Sequence, residues 1–204
     1  MYEHTKRVFD LTAAAVGLVL LVPLLAAVAG VAWLGKLRPV LFQQLRTGFH
    51  EEPFGVLKFR TMTRQTDAAD QLLPDEQRLT DLGRWLRRHS LDELPQLWNV
   101  LRGELSLVGP RPFIHEYLPL YSAAQRQRFR VRPGITGWAQ VHGRNARSWD
   151  EKFALDLWYV AHRSWRLDLL ILYRTAAQVL GPGRPATTEA PTPRFTGSLP
   201  PSSS

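Results

Sequence analysis

The segment Leu11–Leu34, with the sequence LTAAAVGLVLLVPLLAAVAGVAWL, contains no charged side chain. As a helix rising ~1.5 Å per residue it would be ~36 Å long, enough to cross the ~30 Å hydrocarbon core of a bilayer. Basic residues flank it, Lys6-Arg7 before it and Lys36 and Arg38 after it. The apolar run is too long for a cleaved signal peptide, and no small-x-small cleavage site ends it before Lys36. We therefore predict a membrane helix within residues 1–38.

Pro23 lies at the middle of this segment and removes the helical hydrogen bond to the carbonyl of Val19. Because both flanks are basic, the positive-inside bias does not choose an orientation. A helix that enters the membrane, bends at Pro23 and returns satisfies both observations, with arms of ~18 Å that each reach about one leaflet deep. A kinked helix that spans the bilayer is the alternative. We expect the re-entrant form, with Pro23 as the membrane break.

The remaining composition indicates one basic domain. The chain has 204 residues, long enough for one substantial core, and its 26 Lys+Arg against 18 Asp+Glu give a net charge of +8. That excess suits an anionic partner, which could be nucleic acid, an acidic membrane surface or a phosphorylated substrate. The absence of cysteine rules out disulfides and thiolate metal sites. Residues 39–180 are expected to form the domain, and the Pro/Ser/Thr-rich tail 181–204 is expected to be disordered.

A pair of adjacent carboxylates, Asp92-Glu93, lies between arginine-bearing segments. Apolar residues at helical spacing predict a short helix over residues 93–102. Ser90 and Glu93 fit a capping box, but Pro95 would then lie one turn inside the helix. With Asp92 as the N-cap, Pro95 falls in the first turn, where its missing N–H costs nothing, and we prefer this alternative. Either start puts both carboxylates at the positive end of the helix dipole, which favours their ionised forms and phosphate binding nearby.

Basic residues approach this pair from three segments. Two predicted strands, residues 40–44 and 54–61, place Arg46, Lys58 and Arg60 near one another. A predicted amphipathic helix carries three arginines, including Arg87, to a point just before the carboxylates. The turn Gly109-Pro110-Arg111-Pro112 fixes the backbone around its arginine, which then loses little entropy on binding.

The downstream sequence adds further elements. Residues 105–108 indicate a buried strand, and residues 114–130 a polar, arginine-rich helix. Residues 132–138 form a glycine-punctuated turn that leads into a short strand. Ser148 and Glu151 make a capping box for a helix that ends near residue 162, and Asp168 is expected to start the last helix.

Taken together, these segments resemble the monotopic phosphoglycosyl transferases, bacterial sugar transferases that load a sugar 1-phosphate onto polyprenyl phosphate. The resemblance covers about residues 4–180. It is carried by these motifs in order: Lys6-Arg7-x-Phe9-Asp10, Lys58-Phe59-Arg60-Thr61-Met62, Ser90-Leu91-Asp92-Glu93-Leu94-Pro95-Gln96, Gly109-Pro110-Arg111-Pro112, Arg132-Pro133-Gly134-Ile135-Thr136-Gly137-Trp138, and Asp156 with Tyr159. The segment Gly143–Trp149 is most similar to the branch that handles diacetylbacillosamine. One departure is Val22 before Pro23, where the family often has serine.

The resemblance implies a mostly helical α+β fold: a re-entrant membrane helix and a compact cytoplasmic domain with a small β element and interfacial amphipathic helices. It implies Asp92 and Glu93 as catalytic residues, Asp92 as the nucleophile and Glu93 as the ligand of Mg²⁺. Substrate binding is implied for Lys58, Arg60, Arg87, Arg111, Pro112, Arg144 and Asp156. The expected place is the cytoplasmic face of the bacterial inner membrane.

The expected reaction transfers a sugar 1-phosphate from a UDP-sugar to polyprenyl phosphate and releases UMP. The expected sugar is an N-acetylated amino sugar such as diacetylbacillosamine. The resemblance implies two-step catalysis through a covalent aspartyl-phosphosugar intermediate, and it is compatible with a homodimer. The alternatives are a membrane-anchored nucleic-acid binder and an anchoring scaffold protein. Nucleic acid is not expected as a partner, because the arginines flank a carboxylate pair that repels its phosphates.

Overall fold

The first helix dominates the N-terminal part of the molecule. The computed structural model describes residues 2–35, 37–143, 147–181 and 193–197. Helix α1 spans Tyr2–Leu34 and continues through Pro23 without interruption. It is long and apolar enough to cross a membrane, and only 11% of its most apolar stretch is buried within the protein.

Helix α1 contacts the domain on both sides of Pro23. Before the proline, Ala14 is fully buried in a cluster with Val100 and Leu105. After it, Val28 packs in a second cluster with Phe59 and Leu86. Between Ala14 and the proline, four large apolar residues are more than half exposed: Val16, Val19, Leu20 and Val22. Both arms of the helix therefore rest on the same domain and leave an apolar surface open between them.

A buried polar network fastens the first turns of α1. Lys6 Nζ lies 2.9 Å from Asp168 Oδ2, and the Tyr159 hydroxyl donates to Asp168 Oδ1 at 2.7 Å. The Ser106 hydroxyl donates to Asp10 Oδ2 at 2.7 Å. Lys6, Asp10 and Asp168 are all buried. Lys6, interpreted from the sequence as a flanking charge of the membrane segment, is thus an internal ion-pair partner that fixes the helix to the domain.

A β-hairpin follows α1. Strands β1 (Leu41–Thr47) and β2 (Pro53–Phe59) are antiparallel and are joined through a 3₁₀ turn at Phe49–Glu51. The register pairs Phe42 with Lys58 and Arg46 with Phe54. Arg46 and Lys58 therefore share a face of the hairpin but lie near its opposite ends. Lys58 donates a hydrogen bond to Glu93 and Arg46 also interacts with the charge of Glu93, whereas Arg60 turns to the carbonyl of Pro39. The predicted group of three basic residues is therefore corrected for Arg60.

The remainder is mostly helical. The helices are α2 (Asp75–Arg78), α3 (Asp81–Arg88), α4 (Gln96–Arg102), α5 (Ala123–Arg126), α6 (Trp138–Val141), α7 (Trp149–His162) and α8 (Trp165–Leu180), with 3₁₀ helices at Leu91–Glu93, His115–Leu120 and Gln127–Arg130. Strands β3 (Ser106–Val108) and β4 (Gly134–Thr136) form a short parallel pair. Their backbones come so close beyond β3 that a Cβ on Gly134 would lie 2.1 Å from the nitrogen of Gly109. The predicted class, mostly helical α+β, is confirmed.

The structure also tests three local predictions about the helices. The Ser148–Glu151 capping box is present at the start of α7. The single helix predicted over residues 114–130 is wrong, because this stretch forms three short pieces and Pro119 lies within the first. The last helix begins at Trp165 behind the cap Ser164, three residues earlier than predicted.

Part of the predicted disordered tail packs against the domain. Phe195 is only 3% exposed and lies in an aromatic cluster with Tyr117, Tyr121 and Phe153. The indole nitrogen of Trp149 donates to the carbonyl of Pro193 at 2.9 Å. For residues 193–197 the expectation of disorder is therefore corrected, since one aromatic side chain gives this short segment a buried contact.

Several helices expose large apolar side chains. The exposed set on α3, α4, α7 and α8 comprises Trp85, Trp98, Trp158, Leu169, Leu170, Tyr173 and Leu180. Together with the open surface of α1, these side chains give the protein extensive exposed apolar area, as membrane and partner surfaces have.

Candidate active site

The two carboxylates lie in a 3₁₀ turn that precedes α4. The turn spans Leu91–Glu93 and begins after Ser90, whose φ of 53° is left-handed. Helix α4 starts at Gln96, and Pro95 is its N-cap. Neither predicted cap forms, because the helix begins beyond both carboxylates. Pro95 has no backbone N–H. At the start of the helix an N–H would have no intrahelical acceptor, so proline costs nothing there, as predicted.

Glu93 is held between two cations. Lys58 Nζ donates to Glu93 Oε1 at 2.7 Å, and Arg111 Nη2 donates to the same oxygen at 2.9 Å. Burial raises the pKa of Glu93, but the attraction of Arg111 and Lys58 and their hydrogen bonds outweighs it and holds that pKa far below its usual range. Glu93 is therefore ionised at any physiological pH.

Asp92 has a different environment. It is 8% exposed, and within the described part of the chain no hydrogen bond ends on its carboxylate. Burial and then the negative charge of Glu93 raise the pKa of Asp92, against the attraction of Lys58, Arg87 and Arg111. A carboxylate that keeps its lone pairs free of hydrogen bonds and has a raised pKa is a better nucleophile than an ordinary aspartate.

Arg87 reaches the site from the end of α3. Its Nε donates to the Thr61 hydroxyl at 3.1 Å, just beyond strand β2. The close approach of α3 to this strand depends on Gly83, because a Cβ there would lie 2.0 Å from the carbonyl oxygen of Thr61. The helix and the hairpin together thus place Arg87 near Asp92.

The turn at residues 110–112 positions the third cation. The side chain of Arg111 is 43% exposed, so part of it can contact a substrate. Arg46 Nη1 donates to the carbonyl of Pro112 at 3.3 Å, and Arg128 Nη2 donates to the carbonyl of Arg111 at 2.6 Å. Burial, and next the charge of Arg111, lower the pKa of Arg46 to about 10. Two buried or half-buried arginines therefore hold this turn by its backbone.

Two predicted substrate-binding residues lie apart from this cluster, and a third lies outside the described residues. Arg60 Nε donates to the carbonyl of Pro39 at 2.7 Å, and its guanidinium lies 5.5 Å from the ring of Phe42. Asp156 is 1% exposed and accepts a hydrogen bond from Arg128 at 2.6 Å, so its predicted contact with substrate is corrected to an internal ion pair. Arg144 lies outside the described residues.

Sequence reasoning missed two supporting residues. Thr61 lies in a quoted motif, but only the fold shows that its hydroxyl holds Arg87. Arg128 lies in a stretch with many arginines, where nothing in the sequence distinguishes a buried guanidinium from the solvated ones around it.

The carboxylate pair fits a magnesium ion in one respect. Mg²⁺ takes oxygen ligands, commonly one or two carboxylates completed by substrate phosphates and water. Both hydrogen bonds to Glu93 end on Oε1, which leaves Oε2 for a metal. Within the described ranges no group of three or more acidic or histidine side chains is arranged for a metal. A bound ion would therefore depend on substrate oxygens.

Comparison with known proteins shows the family of the chain. A family model described as bacterial sugar transferase matches residues 1–182. The chain therefore belongs to the bacterial sugar transferase family and is associated with the membrane through α1.

Three relatives illustrate the range of the family. An uncharacterized sugar transferase, EpsL of Bacillus subtilis (strain 168), is 53% identical over 95% of this chain and 96% of its own. An undecaprenyl-phosphate glucose phosphotransferase of Komagataeibacter xylinus is 46% identical over 83% of this chain and 35% of its own. A UDP-N-acetylgalactosamine-undecaprenyl-phosphate N-acetylgalactosaminephosphotransferase of Aeromonas hydrophila is 36% identical over 88% of this chain and 44% of its own.

These relatives correct the expected branch. Their names specify glucose in one case and N-acetylgalactosamine in another, and none specifies diacetylbacillosamine. The placement in the diacetylbacillosamine branch rested on the segment 143–149, of which residues 144–146 lie outside the described part. One short segment was too little sequence to fix a sugar.

Proposed function

We propose that the protein transfers a sugar 1-phosphate from a UDP-sugar to undecaprenyl phosphate, with Asp92 as the nucleophile. The observation that carries the proposal is the carboxylate pair in a family of sugar transferases. Asp92 accepts no hydrogen bond from the part of the chain that the structure describes, and Glu93 is bound by Lys58 and Arg111. The names of the relatives supply the carrier lipid and the nucleotide.

The chemistry follows in two displacements. An Asp92 oxygen attacks the sugar-bearing phosphorus of the donor, the bond from this phosphorus to the bridging oxygen breaks, and UMP leaves. A phosphate oxygen of the lipid then attacks the same phosphorus, breaks its bond to Asp92 and restores the carboxylate. Both steps bring two anions together, so the guanidinium of Arg111 and the ammonium of Lys58 orient and neutralise the phosphates.

Magnesium is part of the proposal, with Glu93 as its protein ligand. When bound there, the ion would offset the charge of the transferred phosphoryl group and polarise it. Asp92 and Glu93 then divide the work, since one carboxylate forms the covalent bond and the other stays ionised.

For the donor we propose UDP-glucose, because the glucose-specific relative is more similar to this chain than the relative named for N-acetylgalactosamine. UDP-N-acetylgalactosamine is the second candidate. The two donors differ at C2, which bears a hydroxyl in one and an acetamido group in the other, and in the configuration at C4, so a panel that varies both positions distinguishes them.

We also propose that α1 is re-entrant at the cytoplasmic face of the bacterial inner membrane. The contacts of Ala14 before Pro23 and Val28 after it support this path, because the domain, which lies on one side of the membrane, packs against both halves of the helix. The bend at Pro23 is part of the proposal, since α1 runs through this residue without interruption. The active site then lies beside the membrane that holds the lipid substrate.

The test uses the purified full-length protein in nanodiscs. With donor and Mg²⁺ but no undecaprenyl phosphate, mass spectrometry of the intact wild type should show an added hexose phosphate. Asp92→Asn should show none and should lower UMP release by at least about a thousandfold. An adduct that persists on Asp92→Asn and maps to another residue would show that the nucleophile is assigned wrongly.

A further inference from the structure

The carbonyl of Arg111 is held by a buried arginine that the proposed reaction does not use. Arg128 Nη2 donates to this carbonyl at 2.6 Å and to Asp156 Oδ2 at 2.6 Å. The side chains of Arg128 and Asp156 are each 1% exposed, so neither can contact a substrate.

The guanidinium of Arg128 is also fixed by aromatic rings. Its central carbon lies 4.2 Å from the ring centroid of Phe113, two residues beyond Arg111, and 5.7 Å from that of Phe153 on α7. A planar guanidinium confined between rings and a carboxylate has little freedom to rotate. The carbonyl of Arg111 is thus fixed relative to helix α7.

A buried ion pair of this kind is a poor source of stability alone, because desolvation costs about as much as the attraction returns. Burial in fact raises the pKa of Asp156 against the attraction of Arg128. The pair is better explained by what it orients. The side chain of Arg111 extends from this fixed backbone to Glu93 and is 43% exposed.

We propose that Arg128, held by Asp156, is the positioning residue that sets Arg111 for binding the diphosphate of the donor. This inference rests on the proposed function for the identity of the ligand. Arg128 acts through the backbone of Arg111, so its loss should weaken phosphate binding by a folded site while Asp92 and Glu93 remain in place.

The chain offers a matched control two residues away. Arg126 also bridges a carboxylate and backbone, since it donates to Glu51 Oε2 at 2.7 Å and to the carbonyl of Leu118 at 3.0 Å. Neither contact involves the turn at residues 110–112. Arg126→Gln therefore removes an arginine of the same type without touching Arg111.

The experiment measures binding of UDP by calorimetry and the KM and kcat for the donor in nanodiscs, with thermal unfolding as the check on folding. Arg128→Gln should weaken UDP binding and raise the donor KM at least tenfold in protein that still unfolds cooperatively. Arg128→Lys should recover part of this loss, because an ammonium can reach one of the two acceptors. Arg126→Gln should change the donor KM less than twofold.

A double-mutant cycle tests the route through Arg111. When Arg128→Gln is added to Arg111→Gln, the double variant should bind UDP less than twofold more weakly than Arg111→Gln alone. If Arg128→Gln lowers the unfolding temperature yet leaves UDP binding and the donor KM within twofold, the residue is merely structural and the proposal fails. Should Arg128→Gln not fold, Asp156→Asn replaces it, and unchanged UDP binding in that variant overturns the proposal equally.

UDP can bind without a reaction at Asp92. The measurement of UDP binding therefore tests the role of Arg128 separately from the role of Asp92 as the nucleophile. A wild type that binds UDP but forms no adduct on Asp92 contradicts the proposed mechanism and leaves the role of Arg128 measurable.

Discussion

Asp92 and Glu93 are consecutive residues of one 3₁₀ turn, yet their surroundings move their pKa values in opposite directions. Burial acts on both carboxyl groups. Only Glu93 receives direct hydrogen bonds from Lys58 and Arg111, and its charge then adds to the burial that raises the pKa of Asp92. The pair can therefore divide nucleophile and ion-binding roles between two chemically similar side chains.

The first prediction concerns the pH dependence of adduct formation. Asp92 must be ionised to attack, so the rate should fall as the pH is lowered through its raised pKa, at a higher pH than for an ordinary aspartate. Glu93→Gln removes the charge that raises this pKa and should move the acid limb to lower pH. Lys58→Gln removes an attraction that lowers it and should move the limb to higher pH. Single-turnover rates from pH 4 to 8 measure both shifts, and shifts in the same direction would contradict this account.

The second prediction concerns stability. A carboxylate with a raised pKa in the folded state destabilises the protein above that pKa, so Asp92→Asn should raise the unfolding temperature at pH 7, with the gain fading as Asp92 becomes protonated at lower pH. Glu93 has the opposite shift and stabilises the fold above the usual glutamate pKa. Glu93→Gln should therefore cost about 1–3 kcal/mol at pH 7, and less as the pH falls. Calorimetry of both variants provides the comparison, and a less stable Asp92→Asn would refute it.

The third prediction concerns the contact between α3 and the hairpin. Alanine in place of a helical glycine usually stabilises by about 1 kcal/mol, but a Cβ at Gly83 would lie 2.0 Å from the carbonyl oxygen of Thr61. Gly83→Ala should instead cost about 1–3 kcal/mol and should lower kcat/KM, because it displaces Arg87 from Thr61. Gly30 in α1 has nothing within 4 Å of its Cβ position and provides the control. Equal effects of Gly83→Ala and Gly30→Ala on unfolding would show that the contact is unimportant.

The fourth prediction concerns topology. Because the chain has no cysteine, single cysteines can be placed without background labelling. His4→Cys and Gly35→Cys, at the two ends of α1, should both react with an impermeant maleimide from the cytoplasmic side of inverted vesicles. Pro23→Ala restores a helical hydrogen bond and should favour a spanning form. If the two cysteines are labelled from opposite sides of the membrane while Pro23 is present, α1 spans the bilayer and the re-entrant form is wrong.

Features with a local cause could be predicted from the sequence. The capping box at Ser148 depends on residues three apart, and α3 and β3 follow from short apolar patterns. The carboxylate pair and its basic neighbours Lys58, Arg87 and Arg111 were found because their motifs are contiguous.

Features that depend on distant contacts could not be predicted. Lys6 looked like a membrane-flanking charge, and only its contact with Asp168, which is far away in sequence, shows otherwise. The family resemblance implies Asp156 as a substrate ligand, but its partner Arg128 comes from a segment that the sequence predicts as one polar, arginine-rich helix. Burial decides the role of such residues, and composition does not report it.

The carboxylate of Glu93 lies between Lys58 and Arg111 and pairs with both while no substrate is bound. Part of the Arg111 side chain stays exposed, and Glu93 Oε2 accepts neither of the two hydrogen bonds, so a donor phosphate and the proposed magnesium ion can approach without removing this carboxylate. Because the phosphate and the ion bring opposite charges to adjacent groups, each should bind more tightly in the presence of the other. Such synergy would favour a complete pair of nucleotide and metal over free phosphate.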